Sequence, residues 1–205
     1  MPIPETSCGR EWLGRQPYLP MWQRLRERAG QVADGMAHEI VWSCEHEPVY
    51  TTGRRGVDNR VVMELPAPLL HVDRGGETTF HGPGQLMLYP VISLRQRGLG
   101  VRQYVALLEQ SCIDLLADFG ISAGRRCGFP GVWTAGGKVA ALGVRVVHGV
   151  AYHGMALNVA VEPHWFAAIN PCGTGMSAVN AGELAQLPEM AQLADGWMRK
   201  FAALL

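Results

Sequence analysis

Residues 74–85 read RGGETTFHGPGQ, four glycines and a proline in twelve positions. Such a backbone is forced through tight or positive-φ turns and carries little side chain to obstruct a ligand. A simple turn needs only two or three such residues. The excess therefore asks for a loop that faces a ligand, with Arg74 and His81 as its polar handles. The GxGxxG spacing of a dinucleotide fingerprint is absent, and so is the GK[ST] ending of a phosphate loop.

The surrounding chain has 205 residues, which suits one domain, residues 1–205, with a real hydrophobic core. Eighteen basic side chains balance eighteen acidic ones, which removes the general electrostatic case for a nucleic-acid or anionic-membrane partner. Apolar residues at 48% describe a folded chain rather than a disordered one. No apolar run reaches the roughly 18 residues of a membrane span, and the start MPIPETSCGREWL lacks the pattern of a secretory signal. The five cysteines are scattered and include no CxxC, which fits a reducing, cytoplasmic setting. No metal motif is present; Cys44-Glu45-His46-Glu47 reads as a strand and its following loop.

The element pattern predicts an α+β fold. Helices are expected at residues 20–34, 101–119, 163–169 and 189–204, the second on the apolar spacing of Tyr104, Leu108, Cys112, Leu115 and Phe119. Strands are expected at 39–44, 49–52, 69–73, 86–94, 132–134, 138–147 and 150–161, with Pro90 marking a bulge or a sheet edge. The His148-Gly149 pair predicts a hairpin between the last two. Hairpins with segregated helices argue for a mixed sheet with packed helices rather than a doubly wound one.

Two further positions carry chemistry. Sixteen of the eighteen basic residues are arginine; the lysines are Lys138 and Lys200. Lys138 follows two glycines and opens an apolar strand in AGGKVAALGVR. A lysine, unlike an arginine, can exchange protons near neutral pH when desolvated. Cys172 sits in INPCGTG, a Pro/Gly turn that gives access to a thiol and supplies backbone N–H groups for an oxyanion. It is the best candidate nucleophile.

Taken in order, EHEPVYTTGRR, RGGETTFHGPGQLMLYP, GVWTAGGKVAALGVR, YHGMALNV and INPCG resemble the lipoyl(octanoyl) transferase family of lipoate biosynthesis over residues 39–175. The resemblance implies a fold like the biotin/lipoate protein ligase catalytic domain and a Cys/Lys dyad at Cys172 and Lys138. It maps an acyl pocket onto Arg74, Gly75, Gly76, Glu77, Thr78, Thr79, Phe80 and His81, with Ala141, Leu142, Gly143, Gly154, Met155 and Ala156. The implied reaction moves an octanoyl group from acyl carrier protein to a lysine of an apo-lipoyl domain, as found in 2-oxoacid dehydrogenases and the glycine cleavage H protein. It passes through an acyl-cysteine and needs no cofactor. Rival readings are an ATP-dependent lipoate or biotin ligase, a thioesterase and a non-catalytic acyl-carrier-binding module. Arg54, Arg55 and Arg60 are the expected docking loop.

Overall fold

A computed structural model describes residues 8–56, 64–169 and 177–205. Seven strands form a mixed sheet: β1 (Gly9–Gln16), β2 (Ile40–His46), β6 (Gln85–Ser93), β10 (Val150–Asn158), β9 (Gly137–Val147), β8 (Phe129–Thr134) and β7 (Gly124–Arg126), in that spatial order. Only the β1–β2 pair is parallel; the remaining pairs are antiparallel. A second sheet of three strands sets β3 (Val49–Thr52) between β4 (Leu69–His71) and β5 (Thr78–His81). The architecture is α+β.

Helices cover both faces of the large sheet. On one face α3 (Val101–Ala117) and α5 (Met190–Leu204) pack together, burying Leu108, Cys112, Leu115, Trp197 and Phe201 with Leu86, Leu88 and Leu157 of the sheet. Spacings of three and four put these side chains on one stripe of each helix. A fully buried leucine such as Leu108 loses ~2–5 kcal/mol when truncated to alanine, so this layer dominates stability. On the other face α1 (Tyr18–Ala33) lays Met21, Leu25, Ala29 and Val32 over β2, β6 and β10. It covers only part of that face, and the part over β9 and β10 is left to the residue 74–85 strap. Two short helices, α2 (Leu94–Arg97) and α4 (His164–Ala167), complete the set.

Three sequence expectations need correction. Strand β1 was not foreseen, because GREWLGRQ has neither strict alternation nor an apolar run. Pro90 lies neither at an edge nor in a bulge of its own strand: β6 is central, between β2 and β10. The ladder adapts on the partner strand instead, since β6–β10 pairing is interrupted between Ala151 and Met155, where His153 takes φ 60°. The missing proline N–H thus faces a stretch of β10 that is not paired to it. The expected loop at 74–85 also contains the short strand β5.

Candidate active site

The cavity of about 350 Å³ lies between the β9–β10 floor and the strap above it. Register builds the floor: Ala141 faces Ala156, and Gly143 faces Gly154, across neighbouring strands. Alternation puts all four on one side of the sheet. Leu142 and Met155 also border the cavity, but their side chains join the core under α3 and α5.

The strap is tied down by its own backbone. Gly75 N–H donates to Val144 O at 3.0 Å. The approach is close enough that a Cβ on Gly143 would sit 2.9 Å from Gly75 O and 3.0 Å from Arg74 Cδ. Arg74 is buried and spans to the small sheet, with Nη2 donating to Thr51 O and Thr51 Oγ1, each at 2.7 Å. Gly76, Glu77, Thr78, Thr79 and His81 border the cavity too. Phe80 does not. Its ring lies in a separate apolar cluster and stacks on Trp165 at 4.7 Å, because alternation along β5 turns it away.

The two histidines at the cavity wall are held toward the neutral form and orientated by hydrogen bonds. His81 Nδ1 is 2.8 Å from Gln85 Oε1, and its ring stacks on Tyr18. Burial and the charge of Arg74 hold His81 well below the ordinary histidine value. His153 donates from Nε2 to Asp73 Oδ1 at 2.9 Å, and burial lowers its pKa as well. Asp73 also accepts from Trp22 Nε1 at 2.8 Å and from the Tyr152 hydroxyl. Those donors keep its carboxyl below the usual carboxylate range against the opposing effect of burial. Behind them His46 bridges Gln16 O and the Tyr89 hydroxyl, at 2.8 Å each.

Lys138 stands beyond the Ala141–Ala156 end of the floor. Its Nζ donates to Pro130 O at 3.1 Å and lies 4.8 Å from the centre of the Trp133 ring. Residues 177–179 run alongside: Lys138 N–H donates to Ser177 O at 3.1 Å, and Val179 N–H donates to Lys138 O at 3.0 Å. Lys138 therefore shares one cavity with Arg74, His81 and the alanine and glycine floor. Cys172 and Arg60 lie outside the described residues; Arg55 borders the cavity. The sequence reading missed Gln85, Asn158 and Tyr18 as wall groups, and Asp73 as the partner of His153 behind the wall. Gln85 and Asn158 carried one signal, their presence inside the quoted HGPGQ and MALNV stretches.

Residues 19–202 match the family described as the lipoyl protein ligase A/B catalytic domain. An octanoyltransferase from Thiobacillus denitrificans is 46% identical over 182 residues, 88% of this chain and 83% of its own. An octanoyltransferase from Xylella fastidiosa is 43% identical, over 93% of this chain and 83% of its own. Among solved structures, the bi-partite lipoate protein ligase of Thermoplasma acidophilum superposes with a TM-score of 0.76 at 14% identity, covering 97% of this chain and 84% of that one. The biotin protein ligase of Aquifex aeolicus, solved with biotin and ATP, gives 0.61 at 12%, covering 96% and 69%. The fold is thus shared with lipoate and biotin ligases, and the chain belongs to the lipoyl protein ligase A/B catalytic domain family.

Proposed function

We propose that this chain is an octanoyltransferase of protein lipoylation, acting as one catalytic domain over residues 1–205 in the cytoplasm. The observation that carries it is the cavity: a floor of Ala141, Ala156, Gly143 and Gly154 running to a lysine, in a chain 43–46% identical to octanoyltransferases. An eight-carbon chain laid on that floor buries about seven methylene or methyl groups, worth roughly 5–6 kcal/mol at ~0.8 kcal/mol each.

In the proposed reaction Cys172 gives up its thiol proton to Lys138 and attacks the thioester carbonyl of an octanoyl group on acyl carrier protein. The carrier thiolate leaves and takes a proton from Lys138, and octanoyl-Cys172 remains. The lysine amine of an apo-lipoyl domain then attacks, Lys138 accepts its proton, and the cysteine thiolate is released. Thioester to amide runs downhill, so no nucleotide enters. Support for the pairing comes from Ser177 and Ala178, which follow Cys172 closely in sequence and lie against the Lys138 backbone.

Intact-mass spectrometry after incubation with octanoyl-carrier should show an octanoyl adduct that is absent in Cys172→Ser. An adduct that persists in that variant overturns the assignment. Turnover that requires ATP would instead make the chain a ligase.

A further inference from the structure

Three of the buried polar side chains form a chain of hydrogen bonds whose direction is fixed at one end. Gln85 Nε2 lies 3.4 Å from Phe80 O, a backbone carbonyl that can only accept, so this end of the amide is the –NH2. The same Nε2 donates to Asn158 Oδ1 at 2.8 Å. Gln85 Oε1 is then an acceptor, and His81 Nδ1 donates to it at 2.8 Å. His81, held neutral by burial, keeps its one proton on Nδ1. With the oxygen of Asn158 taken, its –NH2 group is the end that remains. Asn158 is only 6% exposed and borders the cavity. Among the described residues, no acceptor meets that –NH2.

Its position is at the Lys138 end. Leu157 pairs with Ala140, so Asn158 is one residue further toward the start of β9, where Lys138 stands. Residues 177–182 pass Lys138 and then Val159, the neighbour of Asn158, where Gly182 N–H donates to Val159 O at 3.0 Å. The His81–Gln85 turn is clamped to the same place, since Val159 and Ala160 both donate to Gly84 O. A pre-orientated donor on a largely buried side chain, its –NH2 open to the cavity, is what a developing oxyanion needs.

We propose that the Asn158 side-chain –NH2 donates to the thioester oxygen as it becomes an oxyanion, and that Gln85 and His81 are its positioning residues. The role rests on the acyl-cysteine reading above. When the thiolate sulfur bonds to the carbonyl carbon, the C=O electron pair moves onto oxygen, and Asn158 stabilises that charge. The pair returns as the carrier C–S bond breaks. The same oxygen is met again when the acceptor amine attacks.

The test is single-turnover formation of octanoyl-enzyme, followed by intact mass, in Asn158→Ala and Asn158→Leu. Both should acylate ~10²–10³-fold more slowly, with little change in half-saturation by the octanoyl donor. Gln85→Glu should behave alike, because a carboxylate cannot donate to Asn158 Oδ1 and turns that amide round. The double variant should be no slower than either single one. Octanal offers a readout that a structural role would not move. Addition of the thiolate gives a hemithioacetal whose oxygen occupies the oxyanion position. Octanal affinity should fall about 100-fold in Asn158→Ala, while that of non-electrophilic octanamide stays within ~3-fold. Acylation of Asn158→Leu at the wild-type rate, or equal losses for octanal and octanamide, overturns the oxyanion role alone. An adduct surviving Cys172→Ser overturns the acyl-cysteine reading and this role with it.

Discussion

Lys138 is held by the Pro130 carbonyl and the face of Trp133, two contacts that an arginine could also make. What arginine cannot do is give up its proton. Lys138→Arg is therefore expected to keep its fold and its charge, yet lose at least ~10²-fold in kcat, the range assigned to positioned proton transfer. Steady-state rates with octanoyl-carrier and a lipoyl domain measure it, and near-normal turnover would reduce Lys138 to a counter-charge. Lys138 was visible as a candidate in the sequence because its chemistry departs from that of the arginines around it. Asn158 and Gln85 were not. An amide becomes a directed donor only when a neighbour fixes which end points where, and here that neighbour is a backbone carbonyl on another strand, Phe80 O. No spacing in the sequence encodes that contact. Phe80, which the resemblance maps to the pocket, instead turns its ring to the other side through the alternation of β5.

The β5–β6 turn carries more than its length suggests. Gly84 has φ 81°, and a Cβ there would lie 2.1 Å from Ala160 O. Its N–H donates to Glu45 Oε1 at 2.7 Å while its carbonyl receives two N–H groups from the end of β10. Gly84→Ala should lose upwards of ~2 kcal/mol, combining left-handed strain with the overlap. Urea denaturation would give the stability loss, and acylation should fall with it because the His81–Gln85 pair moves. The floor strands make a different prediction. Ala141 borders the cavity opposite Ala156, so Ala141→Leu adds bulk across the path of the acyl chain. Competition between hexanoyl- and octanoyl-carrier should then shift toward the shorter donor. Both floor strands and their hairpin were legible from alternation and the His148-Gly149 pair, which does take positive φ at both positions. Strand β1 was hidden because a short parallel edge strand needs no apolar signature, and the true setting of Pro90 depended on a departure in its partner strand.

Across the whole molecule, three buried histidines share one tendency. His46, His81 and His153 are each pushed below the ordinary histidine value, His46 to about 4, with burial the largest cause. A histidine with a folded value below its unfolded one leaves the unfolded chain holding more protons in the window between. Stability is therefore lost as pH falls from about 6.5 toward 4, and His46 alone accounts for up to ~3 kcal/mol of that loss. Urea midpoints at pH 7.5 and pH 5 should differ accordingly, and a flat profile would mean that these rings find water or protons in the fold. The α+β arrangement and the grouping of the strap with Lys138 in one cavity followed from local pattern and motif order. Net neutrality says less, because the charges that matter here are placed singly, as at Arg74 and Asp73. The alanine and glycine floor has an evolutionary consequence. Its four positions already hold the two smallest side chains, so every substitution there except alanine to glycine removes room. A lineage that needed a longer acyl chain would have to find it in the strap or in α1. Apart from an alanine-to-glycine change, drift in the floor leads toward shorter substrates.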